Sequence, residues 1–281
     1  MSANTLIRIE GLHKTYHRGQ ETVEALRGID LMVEEGEFLT VMGPSGCGKS
    51  TLLHIIGGID RPTAGRVVVD GVDLGSLDEE ALTRFRREKV GFVFQFYNLL
   101  PTLTALQNVE LPLIALGYPR VARRTMARAV LEMVGLGDRL HHKPAELSGG
   151  QQQRVAIARA IVANRRLILA DEPTGDLDSV SSRQVVDLMW NLNQSLGLTF
   201  IIVTHDPAVG ERGTRTIYLQ DGRVVGEERR GMLQATEVRG GALPGRAVCS
   251  PAVPHSTSSS GIVLTLVGAL RVDQSREEVD G

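Results

Sequence analysis

The sequence predicts an α/β protein whose core is a mostly parallel β-sheet covered by helices on both faces. Strand-like and helical segments alternate after Ala163, and this alternation is typical of a parallel sheet with crossover helices. A helical pattern also interrupts the strands between Phe96 and about Arg139. A series of short apolar runs before residue 75 predicts an additional, antiparallel β layer at the N-terminal end.

The predicted β layer comes first along the chain. Its strand-like runs are LIRIEGL, IDLMV, FLTVM and RVVVDGVDL, which Gly and Asp-Gly turn signals separate. The helical insertion follows, and we place a helical subdomain at about residues 96–160. Within it, Met126 and Val130 share one helix face, whereas arginines 123, 124 and 128 lie opposite them. We interpret the arginine face as solvated.

The second half of the chain supplies the alternating elements. They are the buried-strand pattern LILADEP, a helix at about residues 181–196, the strand TFIIVTHD and a hairpin that turns at Asp221-Gly222. Beyond about Arg230 the sequence is rich in Gly, Pro and Ser. We therefore predict one domain at residues 1–230 and a flexible tail at residues 231–281, for which the sequence indicates no role.

Composition narrows the class of protein. The 281 residues carry a formal net charge of −2, which argues against general attraction to nucleic acid. Two cysteines, Cys47 and Cys249, provide no disulfide framework, and the N-terminal residues lack the pattern of a secretion signal, so we predict a cytoplasmic protein. No stretch of the sequence contains the about 20 consecutive apolar residues that are needed to cross a bilayer. If the protein acts at a membrane, we expect a separate chain to provide the membrane-spanning segments.

The strongest motif is a glycine-rich loop between an apolar strand and a helical run. It matches the P-loop pattern at every fixed position, and its residues are Gly43, Pro44, Ser45, Gly46, Cys47, Gly48, Lys49, Ser50 and Thr51. Glycines let backbone N–H groups wrap closely around phosphate oxygens at a helix N-terminus. We expect Lys49 to neutralise β- and γ-phosphates, Ser50 to bind Mg²⁺ and Thr51 to add a phosphate contact. Cys47 is interpreted as a small filler.

A second motif is the apolar run LILADE, which ends in Asp171 and Glu172. Because the carboxyl ends of parallel strands face the ligand site of such sheets, Asp171 is expected to orient Mg²⁺. Glu172 is expected to polarise the attacking water as a general base. Solvation of a strand end would explain one of the two acids, but the P-loop favours the metal and base roles.

The third motif is LSGGQ, followed by the helix-forming run QQRVAIARAIVA. Ser148 and Gln151 have the S-x-x-Q spacing of a capping box, and Gly149 and Gly150 leave the first N–H groups of the helix open to a ligand. Alone, this motif would indicate only a capped helix.

Together and in this order, the three motifs resemble the ATP-binding cassette (ABC) ATPases, over about residues 6–229. The resemblance implies further roles. Tyr16 in HKTYHRG matches the aromatic residue that stacks on adenine, and His205 after FIIVT matches the histidine that contacts γ-phosphate. Gln95 after VGFVF matches the glutamine that binds Mg²⁺ and the attacking water and links them to the helical subdomain.

The segment TGDLD completes the resemblance. Asp176 begins the region that touches the opposite subunit in the family, and Asp178 stands at the family's usual aspartate. The residues in and around these motifs resemble those of the subgroup that contains lipoprotein-releasing, macrolide-exporting and cell-division ATPases. Two positions depart from the frequent pattern: Phe96 replaces a second glutamine, and Asp176 replaces an asparagine. Neither change removes a catalytic group.

The resemblance implies a mechanism and partners. Two cassettes close head to tail on ATP and Mg²⁺, so that the P-loop of one subunit faces Ser148 of a second ATPase subunit, most simply in a homodimer. The motion is passed to a separate transmembrane permease, which holds the chain on the cytoplasmic face of the inner or plasma membrane. We expect export; the alternative is an ATPase that signals to cell-wall remodelling or cell division without transport. A GTPase would need an N-K-x-D segment to recognise guanine, and the sequence contains none. The sequence therefore does not favour a GTPase.

Overall fold

The strands divide between two β-sheets. The computed structural model describes residues 4–19 and 21–230. In this part of the chain the strands are β1 (Thr5–Arg18), β2 (Glu21–Glu34), β3 (Phe38–Met42), β4 (Ala64–Val69), β5 (Val72–Asp73), β6 (Val90–Phe94), β7 (Leu167–Asp171), β8 (Thr199–Thr204), β9 (Arg215–Gln220) and β10 (Arg223–Arg229). The helices are α1 (Lys49–Ile56), α2 (Glu79–Lys89), α3 (Ala105–Ala115), α4 (Arg120–Met133), α5 (Gly149–Ile161), α6 (Ser179–Leu196) and α7 (Pro207–Gly210), with 3₁₀ turns at Leu74–Ser76 and Pro144–Glu146.

The smaller sheet is antiparallel, with the strand order β2-β1-β4-β5. It confirms the predicted N-terminal layer. The assignment of FLTVM to that layer is wrong, because β3 lies in the other sheet between β9 and β8. Its residues from Phe38 to Val41 are all buried. A continuous apolar run of this kind is typical of a strand covered on both faces, and not of a half-exposed one.

The larger sheet has the order β10-β9-β3-β8-β7-β6. Strands β9, β3, β8, β7 and β6 run parallel, and β10 joins β9 antiparallel. The hairpin between β9 and β10 turns at Asp221 and Gly222, both of which have positive φ. The mostly parallel core and this hairpin are confirmed.

Both faces of the larger sheet are covered. On β8, Phe200 and Ile202 pack with residues of α3 to α6. Ile201 and Val203 point to the opposite face and pack with residues of α1, α2 and the antiparallel sheet. All four side chains have no exposed surface, because successive residues of a strand face opposite sides and each side here has its own core.

The helices refine the predicted boundaries. Helix α6 begins at Ser179, earlier than predicted, because the Asp178 carboxylate accepts hydrogen bonds from the N–H groups of Val180 (2.9 Å) and Ser181 (3.0 Å). Helix α2 is not predicted by the apolar pattern, although Asp78 caps it. Helices α3, α4 and α5 lie in the predicted helical region.

The arginine face of α4 is only partly solvated. Arg124 and Arg128 are exposed, as expected. Arg123 is half-buried, and its Nε lies 3.1 Å from Glu110 Oε2 on α3, so this arginine joins two helices. The predicted tail at residues 231–281 lies outside the described residues, and the domain boundary at residue 230 stays a prediction.

Candidate nucleotide-binding site

The glycine-rich loop connects β3 to α1 at the carboxyl edge of the parallel sheet. Its glycines are required by backbone conformation and by space. Gly46 and Gly48 have φ values of 79° and 105°, which favour glycine. A Cβ atom on Gly43 would lie 2.1 Å from the carbonyl oxygen of Leu219, and one on Gly48 would lie 2.5 Å from that of Ala25. The loop is therefore wedged between β2 and the end of β9.

Lys49 is the first residue of α1, and its side chain is buried inside the loop. Its Nζ donates hydrogen bonds to the carbonyl oxygens of Gly43 (2.8 Å) and Pro44 (3.1 Å). The same Nζ lies 3.9 Å from Glu172 Oε1. The buried Lys49 ammonium group thus lies between the glycine-rich loop, which we call the phosphate loop from here on, and Glu172 of the second motif. In this position it can interact with an anionic ligand.

Ser50 and Asp171 meet at the end of β7. The Ser50 hydroxyl donates a hydrogen bond of 2.9 Å to Asp171 Oδ1. Burial raises the pKa of Asp171 above its ordinary value, although the bond from Ser50 and the nearby His54 act to lower it. Within the part of the chain that the structure describes, no three His, Cys, Asp or Glu side chains are grouped as metal ligands. A hydroxyl and a single carboxylate nevertheless fit Mg²⁺, which is commonly bound by one or two protein oxygens together with substrate phosphates.

Glu172 follows Asp171 and has a strained backbone. Its φ of 44° lies in the left-handed region, which non-glycine residues seldom adopt. Its carboxylate Oε1 lies 3.0 Å from His205 Nδ1, and its Oε2 accepts a 3.4 Å hydrogen bond from the His205 backbone N–H. The carboxylate is thereby fixed between Lys49 on one side and the end of β8 on the other.

Gln95 follows β6, the strand next to β7. Its Nε2 donates a hydrogen bond of 3.2 Å to Asp176 Oδ1. The chain segment that begins at Asp176 is thus connected to the residue that precedes the helical region. Asp178, two residues further on, is engaged in capping α6.

A cavity of about 820 Å³ joins many of these residues. The predicted site residues that line it are Ser45, Gly46, Gly48, Lys49, Ser50, Thr51, Gln95, Asp171 and Glu172. The predicted residues Gly43, Pro44 and Cys47 belong to the same loop but do not line the cavity. Cys47 instead packs in the core beneath the loop and is 4% exposed, as its interpretation as a filler requires.

Tyr16 lies on β1 and is half-buried, outside the lining of this cavity. Its hydroxyl donates a hydrogen bond of 2.6 Å to Asp60 Oδ2. Burial, followed by this hydrogen bond, raises the pKa of the Tyr16 hydroxyl. The structure therefore shows the ring held from its hydroxyl end.

Ser148 to Gln151 also lie apart from the cavity of their own chain. The predicted capping box is confirmed: Gln151 N donates to Ser148 Oγ (3.3 Å), and Ser148 N donates to Gln151 Oε1 (3.0 Å). A Cβ on Gly149 would lie 2.9 Å from the Tyr97 hydroxyl, so this glycine also allows close packing. Ser148 itself is exposed.

Comparison with known proteins identifies the family. The sequence profile described as "ABC transporter" matches residues 26–175, which include the phosphate loop, LSGGQ and the Asp171-Glu172 pair. The chain belongs to the ABC transporter family. It is an ATP-binding protein of that family, and its fold is that of an ABC ATPase.

Two relatives and one solved structure show which members of the ABC family this chain resembles. The macrolide export ATP-binding/permease protein MacB of Brucella melitensis is 50% identical over 81% of this chain, which spans only 35% of that protein. The lipoprotein-releasing system ATP-binding protein LolD of Syntrophus aciditrophicus is 46% identical over 78% of this chain and 99% of its own length. The ATP-binding cassette MJ0796, solved as a dimer in a post-hydrolysis state with ADP and Pi, is 49% identical, with a TM-score of 0.74 over 80% of this chain and 99% of that one.

Some residues that line the 820 Å³ cavity are not predicted from the sequence. They are Val23, Glu24, Ala25 and Arg27 on β2, Phe94, Phe96 and Asn98 at and after the end of β6, and Asp221 with Gly222. The Asp-Gly pair signals a turn, and β2 carries no local motif. Neither pattern reveals that the two segments approach the phosphate loop, where Arg27 N donates a 2.8 Å hydrogen bond to Gly222 O.

No helix in the described ranges, 4–19 and 21–230, is long and apolar enough to span a membrane.

Proposed function

We propose that this chain binds Mg·ATP in the cavity at the phosphate loop and hydrolyses it as the ATPase subunit of a membrane transporter. The observation that carries the proposal is the position of Glu172. Its carboxylate lies 3.9 Å from the buried Lys49 ammonium and 3.0 Å from His205, at the edge of a cavity lined by the phosphate loop. A fixed carboxylate beside a phosphate site can accept a proton from an attacking water.

The other residues support the same chemistry. Lys49 would exchange its two carbonyl partners for the β- and γ-phosphates, and the loop N–H groups would bind phosphate oxygens. Ser50, Asp171 and Gln95 would hold Mg²⁺, which supplies charge neutralisation at the phosphates. His205 would contact the γ-phosphate from the exposed side of Glu172, and Tyr16 would stack on adenine.

A second copy of the chain would complete the site. Ser148 and the two glycines after it are at the N-terminus of α5 and do not line the cavity of their own chain. A helix N-terminus favours anions, so this end can bind the γ-phosphate held by a partner copy. The dimeric form of the related cassette MJ0796 supports a head-to-tail homodimer, in which Asp176 would also contact the partner.

The helical region offers a surface for a membrane permease. A groove of about 330 Å³ runs between α3 and α4 and is lined by apolar side chains of α3, by the Glu110–Arg123 ion pair and by Arg120 and Arg124, whose charges are not paired with Glu110. At its end, Ile114 is 49% exposed, and Val121, in the first turn of α4 beside the groove, is 79% exposed. We propose that a cytoplasmic segment of a permease, with apolar and acidic side chains, binds here and holds the chain at the inner face of the membrane.

Export is the direction that the relatives favour, because the macrolide and lipoprotein systems are among the proteins most similar to this chain. Signalling through a membrane partner to cell-wall remodelling or cell division is the alternative. The identity of the partner separates the two.

The test of the enzymatic proposal is phosphate release with Mg·ATP by the full chain and its Glu172→Gln variant. The variant should bind ATP like the wild type and turn over about 10²-fold or more slowly, the scale of losing a general base. Glu80→Gln, at an exposed position of α2, is the matched control and should keep full activity. Near-normal turnover of Glu172→Gln would contradict the proposal.

The test of the partner proposal is co-purification of the tagged chain with membrane proteins from its native cells, followed by mass spectrometry. A multispanning partner should be recovered with the wild type and lost with Ile114→Asp, which places a charge in the groove at a 49%-exposed position. Val225→Asp, which changes a 60%-exposed valine on β10, should retain it. Equal recovery with both variants would exclude the α3–α4 groove as the binding surface.

A further inference from the structure

Asp60 forms a small polar cluster beside the predicted adenine-stacking residue. It lies just beyond α1, the helix that begins at Lys49, and its N–H donates to the His54 carbonyl within that helix (3.2 Å). One carboxylate oxygen, Oδ2, accepts the Tyr16 hydroxyl at 2.6 Å. The other, Oδ1, accepts Lys14 Nζ at 2.6 Å and the Arg61 N–H at 2.7 Å.

Lys14 belongs to the same cluster. Its ammonium group lies 4.7 Å from the centroid of the Tyr16 ring, over the ring face, and donates a second hydrogen bond to the Arg61 carbonyl (2.9 Å). Its side chain is 12% exposed, so it is shielded from water much more than an ordinary surface lysine. One face of the Tyr16 ring is therefore covered by a cation, and the hydroxyl end is fixed by Asp60.

The cluster is charged rather than neutral. Burial acts to raise the pKa of Asp60, but the hydrogen bonds from Lys14 and Tyr16 outweigh it and bring the pKa below its ordinary value. Asp60 is thus a carboxylate at neutral pH, and its bond to the Tyr16 hydroxyl is the stronger, charge-assisted kind.

We propose that Lys14 and Asp60 are positioning residues that pre-set the Tyr16 ring for the adenine base and connect it to the helix of the phosphate loop. The inference rests on the proposed binding of ATP and on the stacking role proposed for Tyr16. A base can stack on the ring face opposite Lys14, and a ring that is already fixed loses little rotational freedom when the base binds. Asp60 gives the base site and the phosphate site one common support, α1.

The fold of the segment does not depend on this cluster alone. Thr63 N donates to the His13 carbonyl at 2.9 Å, and Thr15 N donates to Thr63 Oγ1 at 3.0 Å. These bonds hold the segment after α1 against β1 without any contribution from Tyr16 or Asp60. Variants that remove only the Tyr16–Asp60 bond should therefore remain folded.

The experiment compares two ligands of the full chain by calorimetry: Mg·AMP-PNP, which has a base, and Mg·tripolyphosphate, which has none. Asp60→Asn and Tyr16→Phe should each weaken AMP-PNP binding about three- to tenfold, the scale of immobilising one side chain on binding. Tripolyphosphate binding should be unchanged. The double variant should be no weaker than Asp60→Asn alone, because Tyr16→Phe removes a bond that Asp60→Asn already weakens, whereas Asp60→Asn also weakens the contact with Lys14.

Asp70→Asn is the matched control, since Asp70 forms a comparable 2.8 Å ion pair with Lys89 at an exposed position. It should bind both ligands like the wild type. In turnover assays Asp60→Asn should raise KM and leave kcat unchanged, which a general loss of structure would not do.

Unchanged AMP-PNP binding in Tyr16→Phe, or an equal loss of both ligands in Asp60→Asn and Tyr16→Phe, would overturn the positioning role. If Asp60→Asn does not fold, Tyr16→Phe decides alone, because it removes a single oxygen atom. Failure of the proposed function is distinguishable: it would appear as absent turnover in the wild type, whatever the variants bind.

Discussion

His205 Nδ1 lies 3.0 Å from Glu172 Oε1, so the residues that follow two adjacent parallel strands, β8 and β7, meet at one carboxylate. The Glu172 side chain is 18% exposed, whereas that of His205 is 71% exposed. The histidine thus covers the outer side of the carboxylate. In the proposed mechanism it both orients Glu172 and reaches the γ-phosphate.

The first prediction concerns this pair. His205→Ala should lower ATP turnover about 10²-fold, because Glu172 loses an orienting contact and the γ-phosphate loses a donor. ATP affinity should change little, since Lys49 and the loop remain. His141→Ala, at an exposed histidine before LSGGQ, is the control and should be fully active. A fully active His205→Ala would remove this residue from the mechanism.

The second prediction tests the site shared between two copies. Lys49→Ala should weaken nucleotide binding, which calorimetry measures, and Ser148→Arg should bind nucleotide normally but hydrolyse none. When equal amounts of the two inactive variants are mixed and exchange subunits, about a quarter of wild-type turnover should return, since half of the dimers then contain both variants and each of these has one intact site of two.

The control for this mixing is Ser195→Arg, which changes an exposed serine near the end of α6 and should be active by itself. A complete absence of recovery in the mixture, with dimers demonstrated by light scattering, would argue against completion of the site by Ser148 of the partner.

The third prediction concerns Cys47. Because its thiol is buried under the loop and its carbonyl accepts a 3.0 Å hydrogen bond from Gly222 N, alkylation requires local opening. In a Cys249→Ser background, iodoacetamide should modify Cys47 at least about tenfold more slowly than in the unfolded chain. Cys47→Ser should retain turnover. Rapid alkylation that ATP prevents would instead indicate an accessible, regulatory thiol.

The fourth prediction is a pH dependence at Asp178. Hydrogen bonds from the Ser181 side chain and N–H lower the pKa of Asp178. A depressed folded pKa means that the stabilisation is present above the unfolded value, near 3.9, and is lost as pH falls through the folded value. Asp178→Ala should lower Tm by about 2–4 °C at pH 7, the scale of losing an N-cap.

The Tm difference between the wild type and Asp178→Ala should therefore shrink in strongly acidic buffer. Asp178→Asn is the control, because asparagine also caps helices but does not titrate. The Tm difference between Asp178→Asn and Asp178→Ala should therefore stay constant with pH. A wild-type difference that persists well below pH 3 would show that the charge of Asp178 does not contribute.

The sequence predicts those parts of the fold whose signal is local. The alternation of apolar residues and turn pairs is enough for the parallel core and for the hairpin at Asp221, and the S-x-x-Q spacing is enough for the capping box at Ser148. The prediction that FLTVM belongs to the N-terminal layer is wrong, because a continuous apolar run does not indicate which of two sheets contains the strand. Helix α2 is missed because its apolar face is short, although Asp78 signals its start.

For the site, the motifs are enough to predict which residues lie at the carboxyl edge of the parallel sheet. These are the loop from Gly43 to Thr51 and the pair Asp171 and Glu172. Only the tertiary structure decides how they meet. The contact of Glu172 with His205, the bond from Tyr16 to Asp60 and the wall formed by β2 all join residues far apart in the chain. Local patterns encode backbone conformation and side-chain chemistry, but distances between separate segments are set by the packing of both cores around the sheet.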